Sequence, residues 1–479
     1  MLYRLKAETF IRVYDDIGYI VNKGNFSDQV TDKIGAIFLK SLSRRAKSID
    51  EIVREISNIF IDADITEIKS DVESFMKNLE YDGFIVSGET IQELDSKDTP
   101  FSYSNINNNA ITNEYELRSC VSSQKFLENY FKENPKLMSF QIEITSKCNE
   151  RCIHCYIPHK NKDTDIDPEL FYKILKQCKE MGVMDITLSG GEPMLHPNFL
   201  DFLHAAKLND FSVTILSNLT LLTDEIISEM KSNCLSGVQV SLYSMNPDIH
   251  DSITKVPGSF EKTKQAIIKL MKNNIPIQIS CPTMKQNNDE SYSNVAKWAT
   301  KNRLRAYTDC ILMARYDHTT DNLDNRMSLT DMEKILNDII ENDNSYQTVI
   351  QNNDFNNINL QKSPDDIICG VGIMSLCMVS NGNVFPCAGW QSCVCGNVTK
   401  SSLKNIWETS PELNYLRKLR KKDLPKCANC ENQIFCSVCM ARNANENIDG
   451  NPLKINDYFC EIAKLNKKVV LEWQKKLQN

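Results

Sequence analysis

With 479 residues, the chain exceeds one ordinary domain, and its 55 Lys and Arg against 63 Asp and Glu leave a net charge of −8. That balance lacks the basic surplus of a general nucleic-acid binder, and 41% hydrophobic with 25% charged residues excludes a disordered or collagen-like chain. No apolar run follows the charges of the first ten residues, and none approaches the ~18 residues of a membrane helix. Neither a secretory signal nor a membrane span is therefore expected, and the expected location is cytoplasmic.

Residues 1–90 read as a small winged-helix unit. Two short strands, Ile11–Tyr14 and Gly18–Val21, flank a turn at Asp15 and Asp16. A helix then opens with Ser48 and Glu51 as a capping box and buries Ile49, Ile52, Val53, Ile56 and Phe60. The next aligns Ile68, Val72, Phe75 and Leu79 and ends near Gly83, before a closing strand at Phe84, Ile85 and Val86. Residues 91–136 turn polar, with a Ser-Asn-Ile-Asn-Asn-Asn stretch at 104–109, and read as a linker in which Cys120 is incidental.

Residues 137–345 alternate strand and helix patterns. Six strands are expected, at Phe140–Thr145, Asp185–Leu188, Ser212–Leu216, Gly237–Leu242, Ile275–Ser280 and Arg305–Leu312. Asp167 and Pro168 cap a helix that stops at Gly182, the proline-first, glycine-last asymmetry of a helix. Six βα repeats imply an α/β fold, a parallel sheet curled into a partial (β/α)6 barrel with its chemistry at the C-terminal strand ends. Residues 346–479 form a Cys-rich C-terminal region.

Cysteine is the outlying residue type, with eighteen copies, of which ten lie between Cys369 and Cys460. In a reducing compartment metal or cluster ligation explains them better than disulfides. Right after the first central strand, Cys148, Cys152 and Cys155 form a Cx3Cx2C loop. Three thiolates can hold three irons of a cubane and leave the fourth iron for an exogenous ligand, whereas zinc would close with a fourth ligand such as His154 or His159. The end of the second strand carries Gly190, Gly191, Glu192 and Pro193, whose glycines free the backbone for close approach.

The two motifs together resemble the radical S-adenosylmethionine (SAM) superfamily. The resemblance implies a [4Fe–4S] cluster on Cys148, Cys152 and Cys155, with SAM bound through its methionine moiety and cleaved to a 5′-deoxyadenosyl radical. It further implies Gly190, Gly191, Glu192 and Pro193 at the SAM amino group, and Ser217, Asn218 and Ser241 near ribose and carboxylate. Where many relatives have an arginine before a Gly-Ser-Phe, this chain reads Thr254, Lys255, Val256, Pro257, Gly258, Ser259, Phe260, and His154 stands where an aromatic residue is usual.

Cys369-x12-Gly382-x4-Cys387, then Cys427-x2-Cys430-x5-Cys436-x2-Cys439 and finally Cys460, resemble the SPASM extension of peptide-modifying radical SAM enzymes, one residue short in the last spacer. The resemblance implies two auxiliary [4Fe–4S] clusters, three in all. One would sit on Cys427, Cys430, Cys436 and Cys460, the other on Cys369, Cys387 and Cys439 with Cys377 favoured as fourth ligand over Cys393 and Cys395. A zinc ribbon is the alternative for the two CxxC pairs, but it leaves Cys369, Cys387 and Cys460 unexplained. Cys178, Cys234 and Cys281 fall on apolar patterns and read as core, and Cys310 is a candidate hydrogen-atom donor facing the cavity.

The N-terminal pattern resembles the PqqD-like recognition element, which binds the leader of a precursor peptide as an added strand. A DNA-reading helix would want Lys and Arg where this chain has Glu67, Asp71, Glu73 and Glu80. The combination resembles maturases of ribosomally made peptides, particularly the sactipeptide and ranthipeptide thioether synthases. It implies intramolecular Cys thioether formation, a precursor peptide as partner, a flavodoxin- or ferredoxin-type reductant, and Arg315 as a candidate for orienting the peptide. Carbon–carbon crosslinking, epimerisation and sulfatase-type Ser/Cys oxidation are the alternative outcomes.

Overall fold

The computed structural model describes residues 1–98, 120–233, 235–289, 291–353, 355 and 363–478. The polar stretch at 104–109 and Cys234 lie outside the described residues, as does the side chain of Cys120.

The N-terminal unit holds two three-stranded antiparallel sheets. In one, β1 (Leu2–Leu5) lies between β5 (Lys47–Ser48) and β6 (Ile85–Gly88). In the other, β2 (Thr9–Tyr14), β3 (Ile17–Asn22) and β4 (Ser27–Thr31) follow one another. The expected hairpin is present, with Tyr14 paired to Ile17 across a two-residue turn in which Asp15 takes φ 52°. Ser48 caps its helix by accepting from the Glu51 N–H at 3.2 Å. The reciprocal half of the capping box is not made, because the Glu51 carboxylate pairs with Arg45. Ile65–Tyr81 buries Ile68, Val72, Met76 and Leu79, with Phe75 at the margin of that face.

The interval expected as a linker is in part structure. Cys120–Glu133 is a helix whose Leu127 and Phe131, one turn apart, are buried with Phe10, Tyr14, Ile17 and Tyr19 of the N-terminal sheet and with Met184 and Ile373 of the centre. Arg12 adds hydrogen bonds to the carbonyls of Val183 at 2.9 Å and Asp210 at 2.6 Å, so the N-terminal unit is fastened to the central one.

The centre is one nine-stranded sheet in the order β12-β11-β10-β9-β8-β7-β13-β14-β15. Its parallel strands are β7 (Ser139–Thr145), β8 (Asp185–Gly190), β9 (Ser212–Ser217), β10 (Gly237–Ser241), β11 (Ile277–Ser280) and β12 (Arg305–Tyr307). All six expected strands are there, the last much shorter than expected. Beyond β7 the sheet continues through β13 (Ser375–Val379), again parallel, and the antiparallel β14 (Asn383–Phe385) and β15 (Gly396–Asn397). The C-terminal hairpin is thus an extension of the central sheet.

The strands alternate. Phe140, Ile142, Ile144, Ile186, Leu188, Val238, Val240, Ile277 and Ile279 enter the main apolar core with the covering helices. The intervening residues Gln141, Glu143, Thr187, Ser189, Gln239, Ser241 and Ser280 share the opposite face, where the Gln141 amide donates to the Ser189 hydroxyl at 2.7 Å. A parallel sheet packed on both faces reads as continuous apolar runs. This one has a polar face.

The boundary expected at 345/346 divides a packed unit. Leu329–Asn342 lies against the long helix Asp457–Gln478, burying Met332, Ile335, Ile462, Val469 and Trp473 together.

Candidate functional site

Strand β7 ends at Thr145, whose hydroxyl donates to Asp165 at 2.6 Å and accepts from the Lys147 N–H at 3.1 Å, shaping the loop that follows. From the far side the Arg151 N–H donates to the Thr254 carbonyl at 2.9 Å and the Ile153 N–H to that of Ile253 at 3.0 Å. The region that departs from the resembled arginine pattern therefore supports the loop through its main chain. Gly190 and Gly191 close it from β8. A Cβ on Gly190 would meet the Thr145 oxygen at 2.0 Å, and one on Gly191 the Lys147 oxygen at 2.2 Å and Cys148 Cβ at 2.8 Å. Glycine is needed there because two main chains touch.

Cys148, Cys152 and Cys155 converge on this loop. Burial first, then the neighbouring Glu150, Cys155 and Cys148, pushes the Cys152 thiol far up, and burial pushes Cys148 up to about 11. Lys162 Nζ donates to Cys155 Sγ at 3.7 Å, and the Glu150 carboxylate accepts from Cys152 Sγ at 3.3 Å. His154 is half-buried edge-on to Tyr243, ring centroids 5.1 Å apart, and desolvation lowers its pKa to about 4, which favours the neutral ring. The Tyr243 hydroxyl lies 3.4 Å from His154 Nε2 and 3.9 Å from Cys152 Sγ.

The donor set fits an iron–sulfur cluster. Three thiols crowded beside a buried carboxylate repel as thiolates and need a cationic centre to lose their protons. Glu150 Oε1 and His154 Nδ1 are buried there with no hydrogen-bond partner among the described residues. Among the described residues, no three Cys, His, Asp or Glu side chains are drawn in around a single ion; the thiolates of a cubane each hold a different iron.

Glu192, expected at the SAM amino group, has its side chain bonded within the chain. Its side chain is fully buried and turned inward, accepting from the Met194 N–H at 3.0 Å, the Asn218 N–H at 2.8 Å and the Ser217 hydroxyl at 2.8 Å, and burial raises its pKa to about 7. Pro193 follows it into a short turn. The Ser217 hydroxyl is also occupied, because it accepts from the Leu219 N–H at 2.9 Å, and the Asn218 amide donates to Asn149 at 2.9 Å. Ser241 ends β10 half-buried, beside the Tyr243 hydroxyl.

The C-terminal thiols form two neighbouring groups that meet at Cys439. Cys427, Cys430, Cys436 and Cys460 line one cavity of about 360 Å³ together with Cys439, and Cys427 is pushed up to about 11 by burial, then by Cys436, Cys460 and Cys430. Cys387 is raised by burial, then by Cys439 and Cys369. Cys377 is buried on β13 between Cys387 and Glu143, while Cys393 packs against the same apolar cluster as Cys387 and Cys439. Cys178 and Cys281 are core residues. Cys310 packs against the cluster of the two C-terminal helices and accepts from the Thr283 hydroxyl at 3.2 Å. Arg315 is held in an ion pair with Asp321.

Sequence reasoning passed over Glu143, on the polar face of β7. It accepts from the Tyr156 hydroxyl at 3.3 Å and the Gln391 amide at 3.0 Å, and burial raises its pKa to about 7. The alternation Gln-Ile-Glu-Ile-Thr at 141–145 was the available signal.

Residues 142–299 match the radical SAM superfamily, and residues 369–431 match SPASM, an iron–sulfur cluster-binding domain. An AdoMet-dependent heme synthase of Methanosarcina barkeri is 27% identical over 64% of this chain and 92% of its own length. A GTP 3′,8-cyclase of Clostridium perfringens is 26% identical over 34% of this chain, which spans about half (51%) of that enzyme. Among solved structures, Streptococcus suis SuiB bound to precursor peptide SuiA superposes with a TM-score of 0.62 at 15% identity, covering 96% of this chain and all (100%) of that one. AnSMEcpe with bound AdoMet and the Cp18Cys peptide gives 0.55 at 18% identity, over 71% of this chain and 99% of that one. With the loop geometry above, these matches show that the chain carries a radical SAM domain followed by a SPASM domain.

Proposed function

We propose that this enzyme matures a ribosomally made precursor peptide by forming intramolecular Cys thioether crosslinks. The observation that carries the reading is the convergence of Cys148, Cys152 and Cys155 on a strand-end loop closed by Gly190 and Gly191, with further thiol groups along an extension of the same sheet. The N-terminal unit is read as the PqqD-like winged-helix site for the leader, which would add as a further strand to one of its antiparallel sheets. The central strands form the partial barrel in which the peptide core is presented.

The first cluster and bound SAM supply a radical able to remove a hydrogen atom from the peptide. The chain's own residues prepare the place. Gly190 and Gly191 admit the close main-chain approach, Glu192 locks the ends of β8 and β9 together, and neutral His154 with Tyr243 walls the cysteine loop. Cys427, Cys430, Cys436 and Cys460 would hold one auxiliary cluster, and Cys369, Cys387, Cys439 and Cys377 the other, three [4Fe–4S] clusters in all. A flavodoxin- or ferredoxin-type protein serves as reductant in the cytoplasm, with no nucleic acid or membrane involved. Cys310 is only partly buried, so epimerisation with Cys310 as hydrogen donor is the alternative that Cys310→Ala tests.

The test is anaerobic reconstitution with iron, sulfide, reductant and SAM. Wild type is expected to release 5′-deoxyadenosine, and replacing Cys148, Cys152 and Cys155 together with Ala should reduce release to background while the auxiliary iron stays. A co-expressed Cys-rich peptide should lose two hydrogens per crosslink by mass spectrometry. A modified peptide that contains no cysteine would refute thioether formation.

A further inference from the structure

Among the buried carboxylates that the mechanism above leaves unused, Glu143 stands on the polar face of the central sheet. Glu143 is 4% exposed on the polar face of β7, and its two hydrogen-bond donors, Tyr156 and Gln391, are both neutral. A carboxylate has about four acceptor positions, so two remain after these bonds. Burying such a group between two neutral donors is costly. Burial holds its pKa near 7.

The position is as telling as the chemistry. Tyr156 directly follows Cys155, and Gln391 lies four residues after Cys387, so Glu143 ties the first cysteine loop to the SPASM region. It borders a cavity of about 370 Å³ at the seam between β7 and the β13–β14 hairpin. Its other polar walls include the charged Lys160 and Asp163 beside Ser146, Thr164, Ser380 and Asn381. Hydroxyl, amide and charged groups of both signs match the N–H and C=O groups of an extended polypeptide better than an apolar ligand.

We propose that this cavity is a subsite for the peptide core, in which Glu143 accepts a hydrogen bond from a backbone N–H of the segment presented for modification. The proposal rests on the peptide-maturase reading and deepens it, since it assigns the core a place separate from the leader's.

The reconstituted full-length enzyme is tested with two peptides, leader plus core and leader alone. Glu143→Gln keeps the shape and one acceptor, and Asn381→Trp fills the cavity from its exposed rim. Both variants should keep wild-type iron content and leader affinity. Glu143→Gln should lower kcat/KM for peptide modification by about ten- to a hundred-fold, as for loss of a hydrogen bond to a charged group, and lower the yield of modified peptide per 5′-deoxyadenosine. Asn381→Trp should abolish modification. Wild-type kcat/KM and yield in both variants would overturn the subsite while leaving the maturase reading standing, and so would losses that merely track lost iron. A wild-type enzyme that releases 5′-deoxyadenosine but neither binds nor alters any peptide would overturn both.

Discussion

Cys148, Cys152 and Cys155 occupy one short loop fastened on both sides by main-chain bonds, whereas Cys369, Cys387, Cys427, Cys430, Cys436, Cys439 and Cys460 are gathered from across the C-terminal region. The first group sits on a sheet with a large apolar core that needs no metal to form. The second depends on little regular structure. Between Leu424 and Asn456 the only α-helix is Met440–Glu446, and it packs into a small cluster with Trp390, Leu416 and Leu419. A cluster on the first loop adds chemistry to a finished scaffold. Clusters in the second region also supply cohesion that its side chains lack.

Metal removal is therefore expected to act unequally, with the largest effect in the C-terminal region. Stripping the iron should accelerate amide exchange across 424–456 by at least ~10³-fold, about 4 kcal/mol of local stability, while β7–β11 stay protected. Cys427→Ala should reproduce the local loosening, and Cys148→Ala should not. Equal exchange in both regions would erase the distinction.

The glycines sharpen the same contrast at single-residue scale. Gly191→Ala forces a Cβ against the Lys147 oxygen and Cys148, so it should cost about 3 kcal/mol and loosen iron at the first site. Gly237, which starts β10, has nothing within 4 Å of its Cβ position, and Gly237→Ala should change stability by less than about 1 kcal/mol. Urea denaturation and iron content of the two variants, side by side, are the measurements.

A pH effect follows from Glu192. Its carboxyl is raised from 4.5 to about 7 by burial, so between these values the folded chain keeps a proton that the unfolded chain releases. Its contribution is full below pH ~4.5, falls as pH rises toward 7 and is lost above it, at most roughly 3 kcal/mol. Iron-free protein should accordingly lose stability from pH 5 to 7. In Glu192→Gln that slope should flatten, although the protein is weaker throughout for want of one acceptor.

The loop was legible because its parts are local. The Cx3Cx2C spacing, the paired glycines and the strand patterns around them are short-range features, and the structure brings them together as read. The hairpin at Asp15 and the helix capped by Asp167 were legible for the same reason. What escaped was set by distant partners. No local feature announces that β13 pairs with β7, more than 200 residues earlier, or that β4, with half-buried polar residues, completes a sheet. The helix at 120–133 was hidden in a polar interval because, among its described residues, it buries Leu127 and Phe131 with Tyr130 packed beside them, too few to mark an apolar face. The polar face of the central sheet was readable as strict alternation, yet attention to cysteines and glycines passed over Glu143.

The smallest expected effect concerns Ser217, expected with Asn218 and Ser241 near the ribose and carboxylate of SAM. Its hydroxyl is buried, donating to Glu192 and accepting from the Leu219 N–H. Ser217→Ala would leave the Leu219 N–H without that acceptor and Glu192 with one donor fewer, a loss of about 1 kcal/mol because the other two donors to Glu192 remain. SAM affinity of the reconstituted enzyme, measured by equilibrium dialysis, should stay within about threefold of wild type. A tenfold weaker Kd at unchanged stability would return the hydroxyl to the ribose and show that the cofactor reorders the ends of β8 and β9 when it binds.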